Sequence, residues 1–320
     1  MNFTTKIPIH KYQNTISYES KILLLGSCFA ENISNKFQYF KFQNTTNPFG
    51  IIFNPVSLEK LIRRAVENNY FNENDVFYHN DLWHCFEVHS ELSNPDKNSF
   101  LNSLNELIDA TQMQLNNATH TIITLGTSWV YRSIETNEIV ANCHKVPQKQ
   151  FTKELLSIAQ IEESLHNIVS LFYSVNPNCN LIFTISPVRH IKDGFIENQQ
   201  SKAHLVSALH AILSRNVAKT TYFPAYEIML DELRDYRFYA NDLLHPSDLA
   251  LQYIWEIFVN TSFSTSSIEL MAAVEAVQKN KSHRSFHPNS EKHQQFLVKT
   301  VNKIKALQQL IPHLNFDSED

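Results

Sequence analysis

The sequence predicts a three-layer α/β/α protein, in which a mainly parallel, doubly wound sheet lies between two layers of helices and a helical extension follows. Two observations indicate this class. Short aliphatic runs bounded by turn formers recur along the chain, which is typical of strands buried on both faces. Amphipathic segments with apolar residues at i, i+3 and i+4 lie between these runs. Strands that alternate with helices form βαβ units, whose right-handed crossovers place helices on both faces of the sheet.

Four runs are the candidate strands. KILLLG (21–26), HTIITLG (120–126) and NLIFTIS (180–186) are continuous and aliphatic. TTYFPAYE (220–227) is a weaker candidate, because its proline cannot donate a hydrogen bond to a neighbouring strand. We expect the carboxyl ends of these strands to meet at one edge of the sheet, where open α/β sheets carry their sites.

The helices are predicted from amphipathic periodicity. The segments that alternate with or follow the strands are 100–115, 157–175, 201–217 and 247–260, and Ser247 is well placed to cap the last of them. Two further helical segments, 266–280 and 290–311, follow without any strand-like run. We therefore predict an α/β domain over residues 1–262 and a helical extension over 263–320, packed on the domain or on a second copy of the chain in a homo-oligomer.

Composition bounds the classes of function. The chain of 320 residues has a net charge of -5 and no block of Lys or Arg, which does not favour binding to nucleic acid or to anionic membranes. Its N-terminus lacks the apolar region of a signal peptide, and no apolar run is long enough to span a membrane. The four cysteines show no C-x-x-C pairing, so we expect reduced thiols in a cytoplasmic protein.

The chain contains only four glycines, Gly26, Gly50, Gly126 and Gly194. Average usage would give about 22 in a chain of this length. They are either four ordinary turns or positions where a side chain is not tolerated, because φ is positive or another backbone approaches closely. Gly26 and Gly126 each end a predicted strand, which favours a site at the carboxyl edge of the sheet.

Ser27 is the predicted nucleophile. It follows Gly26 at a strand-to-helix turn, where backbone N–H groups face developing negative charge. A serine hydroxyl needs a base, and the base needs an orienting acid. Asp242 and His245, spaced D-x-x-H before the predicted helix at 247–260, supply both. This pair predicts attack by Ser27 on an ester carbonyl, with His245 as base.

Cys28 is the alternative nucleophile, since a thiol at a helix N-terminus has a lowered pKa. We favour Ser27, because a turn that presents Ser27 outward directs its neighbour inward, where a cysteine packs as a small apolar side chain.

Several motifs resemble one family. GSCFA at 26–30 resembles the name-giving motif of the GSCFA family, which belongs to the SGNH (GDSL-like) hydrolase superfamily. Stretches that look like the same family are NPFGIIFNP (47–55), TLGTSWVY (124–131), VANCHKVP (140–147), TISPVRH (184–190), SK (201–202) and RFYANDLLHPS (237–247). The resemblance covers most of the chain. It implies a flavodoxin-like sheet and a serine esterase or acyltransferase acting on a small or carbohydrate-borne ester.

The resemblance also implies an oxyanion hole built from the serine N–H, a glycine N–H and an asparagine side chain. Ser27 and Gly50 match the first two. The block that holds the asparagine reads Gly126-Thr127-Ser128-Trp129 here, without an amide. Removing one such donor costs roughly 10²–10³ in rate. Asn142 is a candidate replacement, unless its segment is an ordinary surface hairpin.

Other polar residues are candidates for the substrate pocket. They are His89, His144, Arg189, His190 and Glu227. Each has a structural alternative: the histidines as exposed or hydrogen-bonded residues, and Arg189 as an ion-pair partner.

Two rival interpretations remain open. His79, His84, Cys85 and His89 are possible zinc ligands, but their spacing matches no usual zinc pattern, and we predict neither a metal nor an organic cofactor. The second rival is a catalytically weak or inactive protein that uses the same fold for binding or scaffolding. The missing oxyanion-hole asparagine favours that reading.

Overall fold

A five-stranded parallel sheet lies at the centre of the protein in the computed structural model, which describes residues 4–215 and 219–316. The strands of the molecule are β1 (Lys21–Gly26), β2 (Gln43–Thr46), β3 (Phe77–His79), β4 (Leu82–His84), β5 (His120–Leu125), β6 (Trp129–Ser133), β7 (Ile139–Val140), β8 (Phe151–Leu155), β9 (Asn180–Ile185) and β10 (Thr220–Phe223). Across the central sheet the order is β10-β9-β5-β1-β2, and every neighbouring pair is parallel. This is the flavodoxin-like order, so the predicted fold class is confirmed.

Helices connect the strands. They are α1 (Cys28–Tyr39), α2 (Pro55–Glu67), α3 (Lys97–Asn117), α4 (Ile158–Val175), α5 (Phe195–Leu213), α6 (Ala225–Glu227, continued by a π-helical segment at Ile228–Leu233), α7 (Asp248–Ser262), α8 (Thr265–Ser282) and α9 (Glu291–Leu310). All six helices predicted from the sequence are present; residues 216–217 of the third predicted segment lie outside the described residues. No helix within the described ranges is long and apolar enough to cross a membrane.

The side chains of β1 alternate between the two faces of the sheet. Leu23 and Leu25 belong to a core that includes apolar residues of α2, α3, α4 and α5. Ile22 and Leu24 belong to a second core formed with α1, α7, α8 and α9. A strand buried on both faces must be apolar at every buried position, which explains the continuous aliphatic run at 22–25.

The C-terminal helices pack on the α/β body. Val274 of α8 and Leu307 of α9 share one apolar cluster with Phe37 of α1 and Trp255 of α7. Val274 and Leu307 are both buried, so the C-terminal extension contributes to the second core. The division at residue 262 and association with a second copy remain predictions.

The N-terminal segment is held by the chain that follows α7. Ile16 forms an isolated parallel bridge with Phe263. The N–H of Tyr12 donates to the carbonyl of Thr261 at 2.9 Å, and the N–H of Ser264 donates to the carbonyl of Ile16 at 3.0 Å. The two ends of the α/β body therefore meet beside the sheet.

Several elements were not predicted from the sequence: α2, the edge strand β2, the antiparallel hairpin β3–β4 and the antiparallel sheet β7-β6-β8. For α1 only the start after Ser27 was predicted. The sequence of β2 is QNTT, which has no apolar run to indicate a strand. β10 is an edge strand that ends at Phe223, directly before Pro224, so the weak fourth candidate is confirmed in shorter form.

Candidate active site

Glycine is required where β1 ends. Gly26 has φ +122°, and a Cβ atom there would lie 2.1 Å from the carbonyl oxygen of Thr124 on β5. Its N–H donates to Oδ1 of the buried Asn47 at 2.8 Å. Positive φ and close backbone approach therefore explain Gly26, and an ordinary turn does not.

The side chain of Ser27 is turned away from solvent. Ser27 precedes α1, its side chain is fully buried, and its Oγ has no hydrogen-bond partner among the described residues. Its N–H donates to the carbonyl of Thr124 at 3.0 Å, so the β1–β5 ladder continues through it. The expectation that the turn presents Ser27 outward is therefore not met: Ser27 lies between β1 and α1 as the N-cap residue of the helix, and its side chain is buried.

Cys28 occupies the position expected for the nucleophile. It is the first residue of α1 and is partly exposed, and its Sγ lies 3.8 Å from Nε2 of His245. Burial, and after it the carboxylate of Glu31, raise the pKa of the thiol. Lys202 and the N–H groups of Cys28 and Phe29 act in the opposite direction. The thiol therefore lies at a helix N-terminus, within contact of an imidazole.

The loop before α7 supplies that imidazole and its carboxylate partner. Nδ1 of His245 lies 2.6 Å from Oδ2 of Asp242. Oδ1 of Asp242 accepts the N–H groups of Leu244 at 2.9 Å and His245 at 3.0 Å. These bonds, with the Leu244 N–H the largest cause, lower the pKa of Asp242 to about 2. An ionised Asp242 holds the proton of neutral His245 on Nδ1, which leaves the lone pair of Nε2 facing Cys28.

Arg189 anchors this loop. Its Nη1 donates to the carbonyl of Leu243 at 3.0 Å, and its N–H donates to the carbonyl of Leu244 at 3.1 Å. The guanidinium also lies 5.2–5.8 Å from the ring centroids of three aromatic residues, Phe195, Tyr236 and Tyr239. Arg189 therefore positions the segment that carries His245, rather than serving as an ion-pair partner.

The N–H groups predicted for the oxyanion hole are already bonded. The N–H of Ser27 belongs to the sheet, and that of Gly50 donates to the carbonyl of Asn47 at 2.7 Å in a turn. A Cβ at Gly50 would meet His89 at 2.3 Å, so Gly50 is needed for packing. The expectation that Gly50 and Ser27 donate to an oxyanion is therefore not met. The N–H groups of Cys28 and Phe29 lie at the start of α1 and face the sulfur of Cys28.

Residues 126–128 are tied to their neighbours. The N–H groups of Gly126 and Thr127 both donate to the carbonyl of Phe53, at 2.8 and 3.2 Å. Ser128 is fully buried; its N–H donates to Oγ of Ser201 at 2.8 Å, and its hydroxyl donates to the carbonyl of Ser201 at 3.1 Å. Ser128 therefore bonds to α5 and offers no donor to a substrate.

Asn142 and His144 lie at the β3–β4 hairpin. Oδ1 of Asn142 accepts the N–H of His144 at 2.8 Å, so the amide closes a local turn. Nε2 of the buried His144 donates to the carbonyl of Cys85 at 2.7 Å, and burial lowers the pKa of His144 to about 4. The amide oxygen of Asn142 therefore closes a local turn, and its role as a replacement for the missing oxyanion-hole asparagine stays a prediction.

His84 does not have a nitrogen free for zinc. Its Nδ1 lies 2.6 Å from Oγ of Ser93, and its Nε2 lies 2.9 Å from the carbonyl oxygen of His79. Within residues 4–215 and 219–316, no three His, Cys, Asp or Glu side chains are grouped as metal ligands.

His190 lies beside the Cys28–His245 pair, whereas Glu227 is engaged elsewhere. Burial, with the nearby charges of Lys202 and His245, lowers the pKa of His190 to about 3. His190 lines a cavity of about 240 Å³ whose wall includes three aromatic residues, Phe53, Trp129 and Tyr131. Glu227 accepts the Tyr222 hydroxyl through both carboxylate oxygens, at 2.7 Å each.

Lys202 was missed as a site residue. It is 1% exposed, and its Nζ donates to the carbonyls of Gly126 and Ser186, each at 2.7 Å. The only signal for it in the sequence was the SK pair at 201–202. No periodicity rule would place a lysine inside this edge of the sheet, because lysine is almost never fully buried.

Comparisons with known proteins add the following. Residues 21–258 match the model of the GSCFA family, and residues 274–320 match that of the GSCFA domain protein, C-terminal domain. No curated protein matches the chain. Among solved structures, a carbohydrate esterase family 3 from Talaromyces cellulolyticus is similar at 7% identity and TM-score 0.35, over 80% of this chain and 99% of that chain. An acetyl xylan esterase (Est2A) from the rumen bacterium Butyrivibrio proteoclasticus has 10% identity and TM-score 0.41, over 78% of this chain and 66% of that chain. An acetyl esterase mutant with acetate ion has 9% identity and TM-score 0.35, over 80% and 99%.

Proposed function

The chain belongs to the GSCFA family, and we propose that it is an esterase or acyltransferase that forms an acyl-enzyme on Cys28. One observation carries the proposal: Nε2 of His245 contacts Sγ of Cys28 at 3.8 Å while Nδ1 is held by Asp242 at 2.6 Å. The proposed nucleophile therefore contacts a base, and the base contacts an orienting acid, as acyl transfer requires. Cys28 replaces Ser27, the nucleophile expected from the sequence.

The reaction follows from these contacts. Sγ of Cys28 attacks the ester carbonyl as its proton passes to Nε2 of His245. The tetrahedral oxyanion accepts hydrogen bonds from the N–H groups at the start of α1, and Asp242 stabilises the imidazolium. Collapse expels the alcohol, which takes the proton from His245 and leaves a thioester on Cys28. Water, or an acceptor alcohol, then attacks this thioester with His245 as base, which releases the acid or the new ester and restores the thiol.

The proposed substrate is a small or carbohydrate-borne ester. The cavity beside His190 has a volume of about 240 Å³, which suits a small acyl group or one sugar unit rather than a long chain. Its aromatic side chains provide flat apolar walls. A cytoplasmic setting, as the sequence predicts, would keep Cys28 reduced.

The test compares five variants on a panel of acetyl, butyryl and octanoyl p-nitrophenyl esters. We expect Cys28→Ala, His245→Ala and Asp242→Asn each to lower kcat/KM, by roughly 10²–10⁴ for the last two. Cys28→Ser is the matched control that replaces the thiol by a hydroxyl of similar size, and Ser27→Ala should retain most activity. Wild type mixed with ester should gain the mass of one acyl group, in a bond cleaved by hydroxylamine.

Two results would contradict this mechanism. Activity that survives in Cys28→Ala but is lost in Ser27→Ala would return the role of nucleophile to the serine. Absence of acylation and turnover across the panel, in folded wild type, would favour the binding or scaffolding protein instead. That second candidate has one observation on its side: the N–H groups of Ser27 and Gly50 are bonded within the protein.

A further inference from the structure

Arg189 follows β9 at the carboxyl edge of the sheet and is fixed there by two hydrogen bonds. Its N–H donates to the carbonyl of Leu244 at 3.1 Å, and its Nη1 donates to the carbonyl of Leu243 at 3.0 Å. Both acceptors belong to the loop that carries His245, whose Nε2 contacts Sγ of Cys28 at 3.8 Å. The guanidinium therefore has a fixed place beside the proposed base.

Three aromatic rings lie around the guanidinium. Their centroids are 5.2 Å (Phe195), 5.8 Å (Tyr236) and 5.3 Å (Tyr239) from its central carbon. Phe195 is 63% exposed and Tyr236 is 64% exposed, so this cluster lies at the surface, where a ligand can reach it. Aromatic faces attract a cation and keep water from part of its surface, which strengthens a charge pair that the cation forms.

Arg189 has donors that the protein does not use. A guanidinium carries several N–H donors in a planar fork. Among the residues that the structure describes, only the carbonyl of Leu243 accepts a bond from this side chain, and no carboxylate forms an ion pair with it. Its Nε–Nη2 edge presents two parallel N–H groups, which match the two oxygens of a carboxylate. The arginine is therefore arranged to bind a carboxylate from outside the chain.

The acidic side chains on neighbouring segments are engaged with other groups. Their contacts are Asp242 with His245, Asp235 with Arg237, Asp193 with Lys153 and Glu197 with Gly194. None of these four carboxylates neutralises Arg189. Charge complementarity therefore favours an anionic ligand at this position.

We propose that Arg189 binds a carboxylate on the alcohol portion of the ester. The position favours the alcohol portion, because His245, on the loop that Arg189 holds, returns its proton to the alcohol when the tetrahedral intermediate collapses. The proposal rests on the proposed function, which supplies the ester and the roles of Cys28 and His245. It adds the substrate class: an ester of an alcohol that carries an acid group.

The experiment compares p-acetoxybenzoate, whose alcohol portion carries a carboxylate, with its neutral methyl ester. The measured quantity is the ratio of the two kcat/KM values. We expect Arg189→Met to lower this ratio about tenfold, because a charged hydrogen-bonded pair is lost with one ester only. Arg189→Lys keeps the charge without the planar fork and should lower the ratio less. A displaced His245 loop would slow both esters equally and leave the ratio unchanged, so the ratio separates binding from positioning.

Arg237→Met is the matched control. The guanidinium of Arg237 also lies near an aromatic ring, 5.6 Å from the centroid of Phe238, but its side chain is 72% exposed and pairs with Asp235. Its ratio should equal that of wild type. An unchanged ratio in folded Arg189→Met, or an equal fall in Arg237→Met, would overturn the proposal. If Arg189→Met does not fold, Arg189→Gln replaces it, because glutamine keeps a donor for the carbonyl of Leu243 without the charge.

A binding measurement without turnover distinguishes this proposal from the proposed function. The probe is p-hydroxybenzoate, the alcohol portion alone, and its binding to Cys28→Ala with and without Arg189→Met is followed by saturation-transfer NMR. Binding that needs Arg189, without ester turnover in wild type, supports the carboxylate site and contradicts the proposed function. Turnover that depends on Cys28, with the same ratio in wild type and Arg189→Met, supports the function and contradicts the carboxylate site.

Discussion

One step along the backbone decides which side chain at the end of β1 enters the cleft. Ser27 remains in the ladder with Thr124 and is buried, whereas Cys28 begins α1 and contacts His245. The D-x-x-H pair and the end of β1 are neighbours in space, as the sequence predicts. Spacing alone does not show where a strand ends, and therefore could not show that Cys28, and not Ser27, is the residue that contacts His245.

Two glycines with the same unusual backbone give a prediction at the residue scale. Gly26 and Gly194 have φ of +122° and +120°. The missing Cβ of Gly26 would meet a backbone oxygen, Thr124 O, at 2.1 Å, whereas that of Gly194 would meet the flexible carboxylate of Glu197. We expect Gly26→Ala to lower the free energy of unfolding by about 3 kcal/mol or more, and Gly194→Ala by about 1–2 kcal/mol, in urea titrations. Equal losses would show that backbone φ, and not close approach, explains Gly26.

At the scale of elements, the apolar patterns predicted the strands and helices that are buried. They did not predict the elements that polar contacts hold in place. The strands β1, β5 and β9 and the helices α3, α4 and α7 follow from hydrophobic runs and periodicity. The β3–β4 hairpin does not follow from such patterns, because side-chain hydrogen bonds attach the segments on either side of it to α2. Arg64 of α2 is buried and bonds Glu87 at 2.6 and 2.9 Å and Asp75 at 2.8 Å.

This cluster gives the prediction at the element scale. Arg64→Ala leaves Glu87 and Asp75 without their buried cation, so we expect the free energy of unfolding to fall by about 3–5 kcal/mol. Arg63→Ala is the matched control on the same helix. Its side chain is 41% exposed and pairs with Glu59 and Glu67, and such surface pairs contribute about 0.2–1 kcal/mol. The check is urea denaturation followed by circular dichroism; a similar loss in both variants would contradict a special role for Arg64.

At the scale of the whole molecule, buried neutral histidines make stability depend on pH. Unfolded His144 binds a proton near pH 6.5, whereas burial lowers its pKa in the folded protein to about 4. Between these values the unfolded chain binds more protons, so lowering the pH through this window reduces stability. His144 alone accounts for about 3 kcal/mol between pH 7 and pH 4. His190 acts in the same direction.

The measurement is the free energy of unfolding in urea at pH 7, 5.5 and 4 for wild type, His144→Gln and His287→Gln. Wild type and the exposed control His287→Gln should lose stability in parallel. His144→Gln should start from a lower value at pH 7 and lose less on acidification. Identical pH slopes for all three proteins would show that His144 does not remain neutral when folded.

Cys28 and His245 come from opposite ends of the α/β body, which also bears on how the protein is made. Ile16 is paired with Phe263, so the segment that leads into β1 has its partner only after α7. The N-terminal part of a chain is the first to emerge from the ribosome. Cys28 therefore emerges early, but neither His245 nor the partner of Ile16 exists until most of the message has been translated. Under the proposed mechanism, a nascent chain therefore carries an unactivated thiol for most of its synthesis, and the contact between Cys28 and His245 forms only when the last part of the body closes on the first.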